Sequence, residues 1–125
     1  MKNKKDRFLQ RVIKSFHFAF RGIATFLATP SNAWIHLLAA ITVCSGGIIL
    51  HITRSDWALI IIAIALVITA EMFNTALESL MDLVSPDYHK LAERAKDIAA
   101  GAVLVTALTS LLIGVLVFWP YFFKV

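Results

Sequence analysis

The sequence predicts an all-α integral membrane protein, and its composition and its three apolar segments carry that prediction. Of the 125 residues, 59% are hydrophobic and only 16% are charged, too few to cover the surface of an ordinary soluble protein. Residues 34–52 and 98–123 carry no formal charge, and the uncharged run 57–70 continues into a helical pattern. Because a helix needs about 20 apolar residues to cross a bilayer, we expect three transmembrane helices in one membrane domain, 1–125.

The distribution of Lys and Arg predicts how the chain is oriented. Seven of the twelve precede residue 22, and three lie between the second and third apolar segments, in 79–97. Positively charged segments stay in the cytoplasm, so we expect a cytoplasmic N-terminus and an external C-terminus. The net charge of +4 then indicates orientation and attraction to anionic lipid, and we expect no nucleic-acid partner.

The N-terminal segment 7–27 has too many charges to span and reads as an amphipathic surface helix. Its Phe, Leu, Ile and Val side chains fall within an arc of about 140° on a helical projection, with Arg7, Lys14 and Arg21 opposite. This pattern is typical of a helix lying on the cytoplasmic leaflet. The alternative is a helix packed on a partner protein.

Breaks between the segments give the remaining boundaries. Pro30 interrupts helix in "ATPSN", and the short turn 53–56, with Ser55 or Asp56 as a cap, predicts an antiparallel hairpin of spans one and two. In "VSPDYH", Ser85 is a candidate cap for a helix that begins at Pro86. The predicted boundaries are about 34–52 for span one, 57–83 for span two with a cytoplasmic extension, 86–97 for a cytoplasmic helix and about 98–119 for span three.

A polar stripe begins where the second apolar run ends. Glu71, Asn74, Glu78 and Asp82 have helical offsets of about 0°, 300°, 340° and 20°, so they share one face. Carboxylates at a membrane boundary do not face lipid comfortably, and we expect this face to meet other helices or a wet cavity. The stripe also requires a cation.

Two kinds of cation fit the stripe, and the residues alone leave both open. Lys96, Arg94 or basic residues of the N-terminal helix would make a salt-bridged junction that only orients helices. A hard divalent ion would instead bind the carboxylate oxygens, and Mg²⁺ typically takes one or two carboxylates while leaving room for substrate phosphates. The second reading makes phosphoryl transfer a candidate activity.

The segment "YHKLAERAKDIAAG" favours the second reading. His89, Glu93 and Asp97 lie four residues apart on one helical face, with Lys90 and Arg94 on an adjacent one, and basic groups near carboxylates suit a nucleotide phosphate with its metal. The alternative is a solvated helix with i, i+4 charge pairs.

Several common nucleotide-binding and catalytic motifs are absent from the sequence. It contains neither GxxxxGK[ST] nor GxGxxG, so neither soluble nucleotide-binding loop is present, and it has no HExxH, GxSxG or CxxC. His36 and His51, near the two ends of span one, are interpreted as interfacial polar residues rather than ligands.

The stretch "AEMFNTALESLMDLVSPDYHKLAERAKDIAAGAVL" (70–104) resembles the prokaryotic diacylglycerol kinase family of small three-span membrane enzymes, which includes the undecaprenol kinases. The pattern E-x-x-N-[ST]-A-x-E-x-x-x-D followed by Y-H-x-L-A-x-x-A-K-D carries the resemblance. It continues upstream through "RVIKSFHFAFRGI" and "NAWIHLLAA" and covers nearly the whole chain.

The resemblance implies a homotrimer with active sites between subunits, which transfers the γ-phosphoryl group of Mg-ATP to the hydroxyl of a membrane lipid alcohol, either diacylglycerol or undecaprenol. It implies that Glu71 is the catalytic base and that Glu78 holds the metal and the nucleotide. The other implied positions are Lys96, Asp97 and Arg94 on the nucleotide side, Asn74 and Asp82 as supporting polar residues, and Arg11 at the lipid or catalytic cleft.

The sequence departs from the family pattern at one position. Family members usually carry a second metal-side glutamate just before the "N-x-x-I-H" stretch, where this chain has Pro30. Proline has no side-chain ligand for a cation. The leading hypothesis is a retained lipid kinase. The alternatives are a non-catalytic or weakly active membrane homologue, whose stripe specifies helix packing, and a protein that binds nucleotide without catalysis.

Overall fold

The computed structural model describes residues 3–123, and within them it is all-helical, as predicted. The four helices are α1 (Lys4–Ala28), α2 (Ala33–Ile49), α3 (Arg54–Val84) and α4 (Lys90–Phe123). The contacts divide the chain after Ser31 into two compact units. The first unit contains α1, and the second contains α2, α3 and α4.

The first unit is the amphipathic helix that the sequence predicted over 7–27, beginning three residues earlier. Its large apolar side chains, such as Phe8, Phe16 and Phe20, are exposed, and Phe26 is the buried residue of α1. The helix ends where Thr29 turns extended and its N–H donates to the carbonyls of Thr25 and Phe26. Pro30 follows directly, as expected for a residue that disfavours helix before it.

The second unit begins with the hairpin of α2 and α3. Thr53 caps α3 through a capping box: its hydroxyl oxygen accepts the N–H of Asp56 at 3.2 Å, and the Asp56 carboxylate accepts the N–H of Thr53 at 3.3 Å. The cap is therefore Thr53, two or three residues before the predicted Ser55 or Asp56. Asp56 instead supplies the reciprocal half of the box.

Helix α4 closes the unit by packing along α3. The Tyr121 hydroxyl donates to Asp56 at 2.6 Å and accepts the N–H of Thr53 at 3.0 Å. Near this end of the unit, Ile52, Ile60 and Val117 form the buried core. Midway along, the Ser110 hydroxyl donates to the carbonyl of Ala63 at 3.0 Å. We call the end that contains Tyr121 the hairpin end.

The connection from α3 to α4 differs from the prediction of a separate helix at 86–97. Residues 85–89 are not helical and bend at Pro86 and Asp87, and α4 runs as one helix from Lys90 to Phe123. The reason is local hydrogen bonding: the Ser85 hydroxyl donates to the carbonyl of Asp87 at 3.1 Å, while His89 Nδ1 accepts the N–H of Leu91 at 3.2 Å. His89, rather than Ser85, therefore satisfies an amide at the start of the helix.

The described helices are apolar enough for a membrane protein. By length and composition α3 and α4 can each cross a membrane, and α1 with α2 meets the same criterion only when the two are taken as one segment. Helix α2 has 17 residues, shorter than the span predicted at 34–52. The structure therefore contains two membrane-spanning candidates, or up to three, among residues 3–123.

Candidate active site

The predicted polar stripe lies on the single continuous helix α3, and its burial changes steeply along the helix. Glu71 is 2% exposed and Asn74 is 9% exposed, whereas Glu78 and Asp82, further along, are exposed. The stripe thus leads from a carboxylate enclosed by protein to carboxylates that water can reach. We call the end of the second unit that holds Asp82 and the 85–89 connection the polar end.

Glu71 is paired with a residue that the sequence analysis did not assign to the site. His36 Nε2 on α2 lies 3.9 Å from Glu71 Oε2. Among residues 3–123, His36 is the basic side chain within ion-pair distance of Glu71, while Lys96, one of the cations expected for the stripe, pairs with Asp82. The signal for His36 was available, since a lone histidine in an uncharged membrane segment usually faces protein rather than lipid.

Asn74 connects the buried and exposed parts of the stripe. Its side-chain Nδ2 donates to Glu78 Oε1 at 3.3 Å. Its Oδ1 and the hydroxyl oxygen of Thr75 are buried without a hydrogen-bond partner in the described part of the chain. Buried acceptors of this kind are normally satisfied, so Asn74 has capacity for one further donor.

A polar cleft of about 310 Å³ lies at the polar end, between the end of α3, the 85–89 connection and the first two turns of α4. Lys96 Nζ donates to Asp82 Oδ1 at 2.5 Å in this cleft. His89, Glu93 and Asp97 also line it, although His89 lies just before the first residue of α4 and so is not on its helical face. Its lining residues are Asp82, Ser85, Pro86, Asp87, Tyr88, His89, Ala92, Glu93, Lys96 and Asp97.

The cleft brings together part of the predicted nucleotide side. Lys96 and Asp97 line it, whereas Arg94 and Glu78 are exposed and are not among its lining residues. The Tyr88 hydroxyl donates to Glu93 Oε2 at 2.8 Å. This hydrogen bond raises the pKa of Tyr88 above its ordinary value, because it stabilises the protonated phenol.

A second, apolar cavity of about 270 Å³ lies between α2, α3 and α4. His36 is at its wall, and the other lining side chains are mostly small or aliphatic, including Ala40, Ala63, Val67 and Gly114. His36 therefore separates an apolar interior from the Glu71 carboxylate.

The residues at the polar end do not form a closed metal cage. Within residues 3–123, no three His, Cys, Asp or Glu side chains come together in a way that would hold a metal ion. An exposed carboxylate such as Glu78 nevertheless suits Mg²⁺ that arrives with a nucleotide, since this ion usually keeps several waters and takes few protein ligands. The donor set therefore fits a metal shared with substrate phosphates.

Arg11, the remaining predicted site residue, belongs to the first unit. It lies on α1 and is exposed, and its backbone carbonyl accepts the Ser15 hydroxyl at 2.9 Å.

Comparison with known protein families shows to which family this chain belongs. The model of the family described as prokaryotic diacylglycerol kinase matches residues 17–118. The chain belongs to the prokaryotic diacylglycerol kinase family. This confirms the resemblance found in the sequence and the expected enzyme class, a lipid kinase.

Curated members of the prokaryotic diacylglycerol kinase family include proteins with both kinase names. The chain is 40% identical over 112 residues to undecaprenol kinase of Bacillus subtilis, covering 90% of this chain and 91% of that protein. It is 38% identical over 104 residues to diacylglycerol kinase of Synechocystis, covering 82% of this chain but 59% of the longer relative. It is 27% identical over 123 residues to diacylglycerol kinase of Escherichia coli K12, covering 90% and 92%.

Proposed function

We propose that the protein is an ATP-dependent kinase that transfers the γ-phosphoryl group of Mg-ATP to the hydroxyl of a membrane lipid alcohol. The observation that supports this most directly is the burial gradient on α3, where an enclosed Glu71 is followed within three helical turns by a water-accessible polar cleft. A lipid hydroxyl is at membrane depth, whereas ATP approaches from water. Helix α3 therefore carries a buried carboxylate for the lipid alcohol and exposed polar side chains for the nucleotide.

In this proposal Glu71 is the general base. As the lipid oxygen attacks the γ-phosphorus, its O–H bond breaks and the proton passes to the Glu71 carboxylate. The new bond joins the lipid oxygen to phosphorus, the bond to the β-phosphate oxygen breaks, and ADP leaves. A base enclosed by protein can meet a hydroxyl that stays within the bilayer, and general-base catalysis of this kind contributes about 10²–10⁴-fold.

In this proposal the nucleotide binds at the polar cleft, near the exposed end of the stripe. Lys96 offers a positive charge to the phosphates, with Asp97 beside it in the cleft, and Arg94 supports them from the exposed side of α4. Asp82 orients Lys96 through their hydrogen bond. Arg11, on α1, is assigned to the lipid or catalytic cleft.

Glu78, oriented by Asn74, is the residue that would hold Mg²⁺ in this proposal. When bound, Mg²⁺ supplies charge neutralisation on the transferring phosphates. With Pro30 where the family usually has a glutamate, water and the substrate phosphates would have to complete the ligands of a bound Mg²⁺. The alternative to this proposal is that the chain is a non-catalytic or weakly active homologue, because it lacks this second carboxylate.

The proposed setting is the bacterial cytoplasmic membrane, with the polar end facing the cytoplasm. The N-terminus is then cytoplasmic and the C-terminus external, in line with the positions of Lys and Arg. The partners are the lipid bilayer, ATP, the lipid alcohol and two further copies of the chain in a homotrimer, and no nucleic acid takes part.

The test is a phosphorylation assay on the purified protein in mixed micelles. Labelled ATP and Mg²⁺ are incubated with diacylglycerol and with undecaprenol separately, and the labelled lipid is quantified. We expect the protein to phosphorylate one of them, and we expect Glu71→Gln to lower kcat at least about 100-fold because the amide cannot accept the proton.

Asp6→Asn is the matched control, since it removes one carboxylate from an exposed position on α1 and should leave kcat unchanged. Normal turnover by Glu71→Gln would refute the assignment of the base. Absence of turnover with both lipids in the wild-type protein would favour the non-catalytic homologue.

A further inference from the structure

We infer that His36 is a positioning residue for Glu71: its Nε2 nitrogen holds one carboxylate oxygen so that the other faces the lipid hydroxyl. This inference rests on the proposed kinase function. It assigns a task to a side chain that the sequence analysis interpreted as merely interfacial, and it starts from the distance of 3.9 Å between His36 Nε2 and Glu71 Oε2.

The surroundings of the pair make the contact energetically important. The Glu71 side chain is 3% exposed and the His36 side chain 18% exposed. A carboxylate this enclosed is strongly disfavoured unless a donor or a positive charge lies beside it. By contrast, Lys96 and Asp82 have side chains that are 39% and 69% exposed, so water can solvate the charge of either one when its partner is removed. The described ion pairs therefore differ in kind, and only the His36–Glu71 pair lies inside the protein.

The position of His36 on α2 explains how it can hold the carboxylate from the side. It lies three residues into α2, and on its other side it lines the apolar cavity with Ala40, Ala63 and Gly114. The Ser110 hydroxyl also lines this cavity but donates to the carbonyl of Ala63, and the other lining side chains offer no donor that could replace the imidazole. The Nε2 nitrogen therefore approaches Glu71 from α2, while the stripe continues along α3 toward Asn74.

A distance of 3.9 Å is too long for a hydrogen bond, and it falls within the range for an ion pair. Catalytic hydrogen bonds in ligand-free structures are often long and tighten when the substrate binds. Contact at Oε2 fixes the rotation of the Glu71 carboxylate about its terminal bond. Fixing it matters because a shift of about 1 Å in a reacting group can cost about 10²-fold in rate.

Three substitutions at His36 separate a positioning role from a packing role. His36→Gln puts an amide N–H close to where Nε2 lies, His36→Asn carries the same amide on a side chain one carbon shorter, and His36→Leu keeps bulk without a donor. His51→Asn is the matched control, because it makes the same change just beyond the other end of α2, and asparagine tolerates the positive φ of 52° at that position.

The measurement is kcat and the KM for ATP of each variant in the lipid phosphorylation assay. We expect kcat to fall about 10- to 100-fold in His36→Leu and His36→Asn, and to stay within about threefold of wild type in His36→Gln, since that variant restores the donor. The KM for ATP should change in none of them, because the nucleotide is bound at the polar cleft. His51→Asn should match the wild-type protein in both parameters.

Full turnover in His36→Leu would overturn the inference while leaving the kinase proposal intact. A His36→Gln variant as slow as His36→Leu would also overturn it, since a donor would then not suffice. Absence of turnover in the wild-type protein would instead overturn the kinase proposal and, with it, the catalytic meaning of the contact.

A thermal double-mutant cycle on His36→Leu and Glu71→Gln reports the contact independently of turnover. Non-additive changes in melting temperature support the contact, and additive ones refute it.

Discussion

At the scale of single residues, chemical role follows depth along α3. Glu71 is enclosed and depends on His36, whereas Asp82 is exposed and hydrogen-bonds Lys96. The first environment suits a base that must work beside lipid, because excluding water strengthens every electrostatic interaction there. The second suits exchange of a charged nucleotide, because surface charges are compensated by water when the ligand leaves.

Lys96→Met tests the nucleotide side of the site. We expect the KM for ATP to rise about tenfold or more, because a charge directed at the transferring phosphates is lost, and we expect thermal stability to change little, since the Lys96–Asp82 pair is exposed. Steady-state kinetics with varied ATP measures the first effect, and thermal unfolding in detergent measures the second.

Lys90→Met is the comparison for that variant. Lys90 is exposed at the first position of α4 and is not among the residues that line the cleft, so its removal should leave the KM for ATP unchanged. If Lys96→Met lost stability but kept the wild-type KM, the Lys96–Asp82 pair would be a structural junction, the alternative that the sequence left open.

At the scale of helices, a glycine contact fixes the hairpin end. A Cβ atom on Gly47 would lie 3.0 Å from Ile52 Cδ1 and 3.0 Å from the Trp57 ring, whereas one on Gly46 would meet Phe118 at an ordinary 3.6 Å. The sequence could not distinguish close helix contact from glycine tolerated in lipid. The structure assigns close contact to Gly47, since a rigid indole ring limits how far its neighbours can move.

Gly47→Val should therefore destabilise the protein by about 1–3 kcal/mol, because the added side chain overpacks a filled site. Thermal unfolding in detergent, followed by circular dichroism, measures the change. Gly22→Val on α1 is the matched control, since nothing lies within 4 Å of a Cβ at Gly22. Equal melting temperatures for the two variants would contradict the close contact at Gly47.

At the scale of the whole molecule, α4 leaves most of its surface uncovered by its own chain. In the apolar 18-residue segment of α4 only 6% is buried, against 28% in the corresponding segment of α3. Lipid and further copies of the chain both suit such a surface, because neither requires polar side chains. This uncovered surface therefore leaves room for the proposed homotrimer, which the resemblance implies.

The trimer predicts a protein mass of three times the 13.9 kDa of the chain. Size-exclusion chromatography with light scattering, corrected for bound detergent, measures that mass. Glu71→Gln should give the same mass, since the substitution removes a proton acceptor rather than an apolar surface. A mass of 13.9 kDa for the wild-type protein would refute the trimer, and loss of assembly in Glu71→Gln alone would indicate a packing role for the stripe.

The sequence by itself determined the helical class and the stripe from Glu71 to Asp82. These follow from composition and from spacing along one helix, which a linear pattern encodes directly. The sequence also predicted the helix breaks at Pro30 and after Val84, because proline disfavours helix at the residue before it.

Only the tertiary structure decided which groups meet across helices. His36 and Glu71 are 35 residues apart in the chain, so no local pattern could predict that Nε2 would lie beside the buried carboxylate, or that Asp82 would be the stripe residue that Lys96 contacts. The start of α4 at Lys90 and the tight contact at Gly47 also depend on hydrogen bonds and packing between segments. Periodicity records which face a residue occupies, whereas its partner is set by how the helices pack.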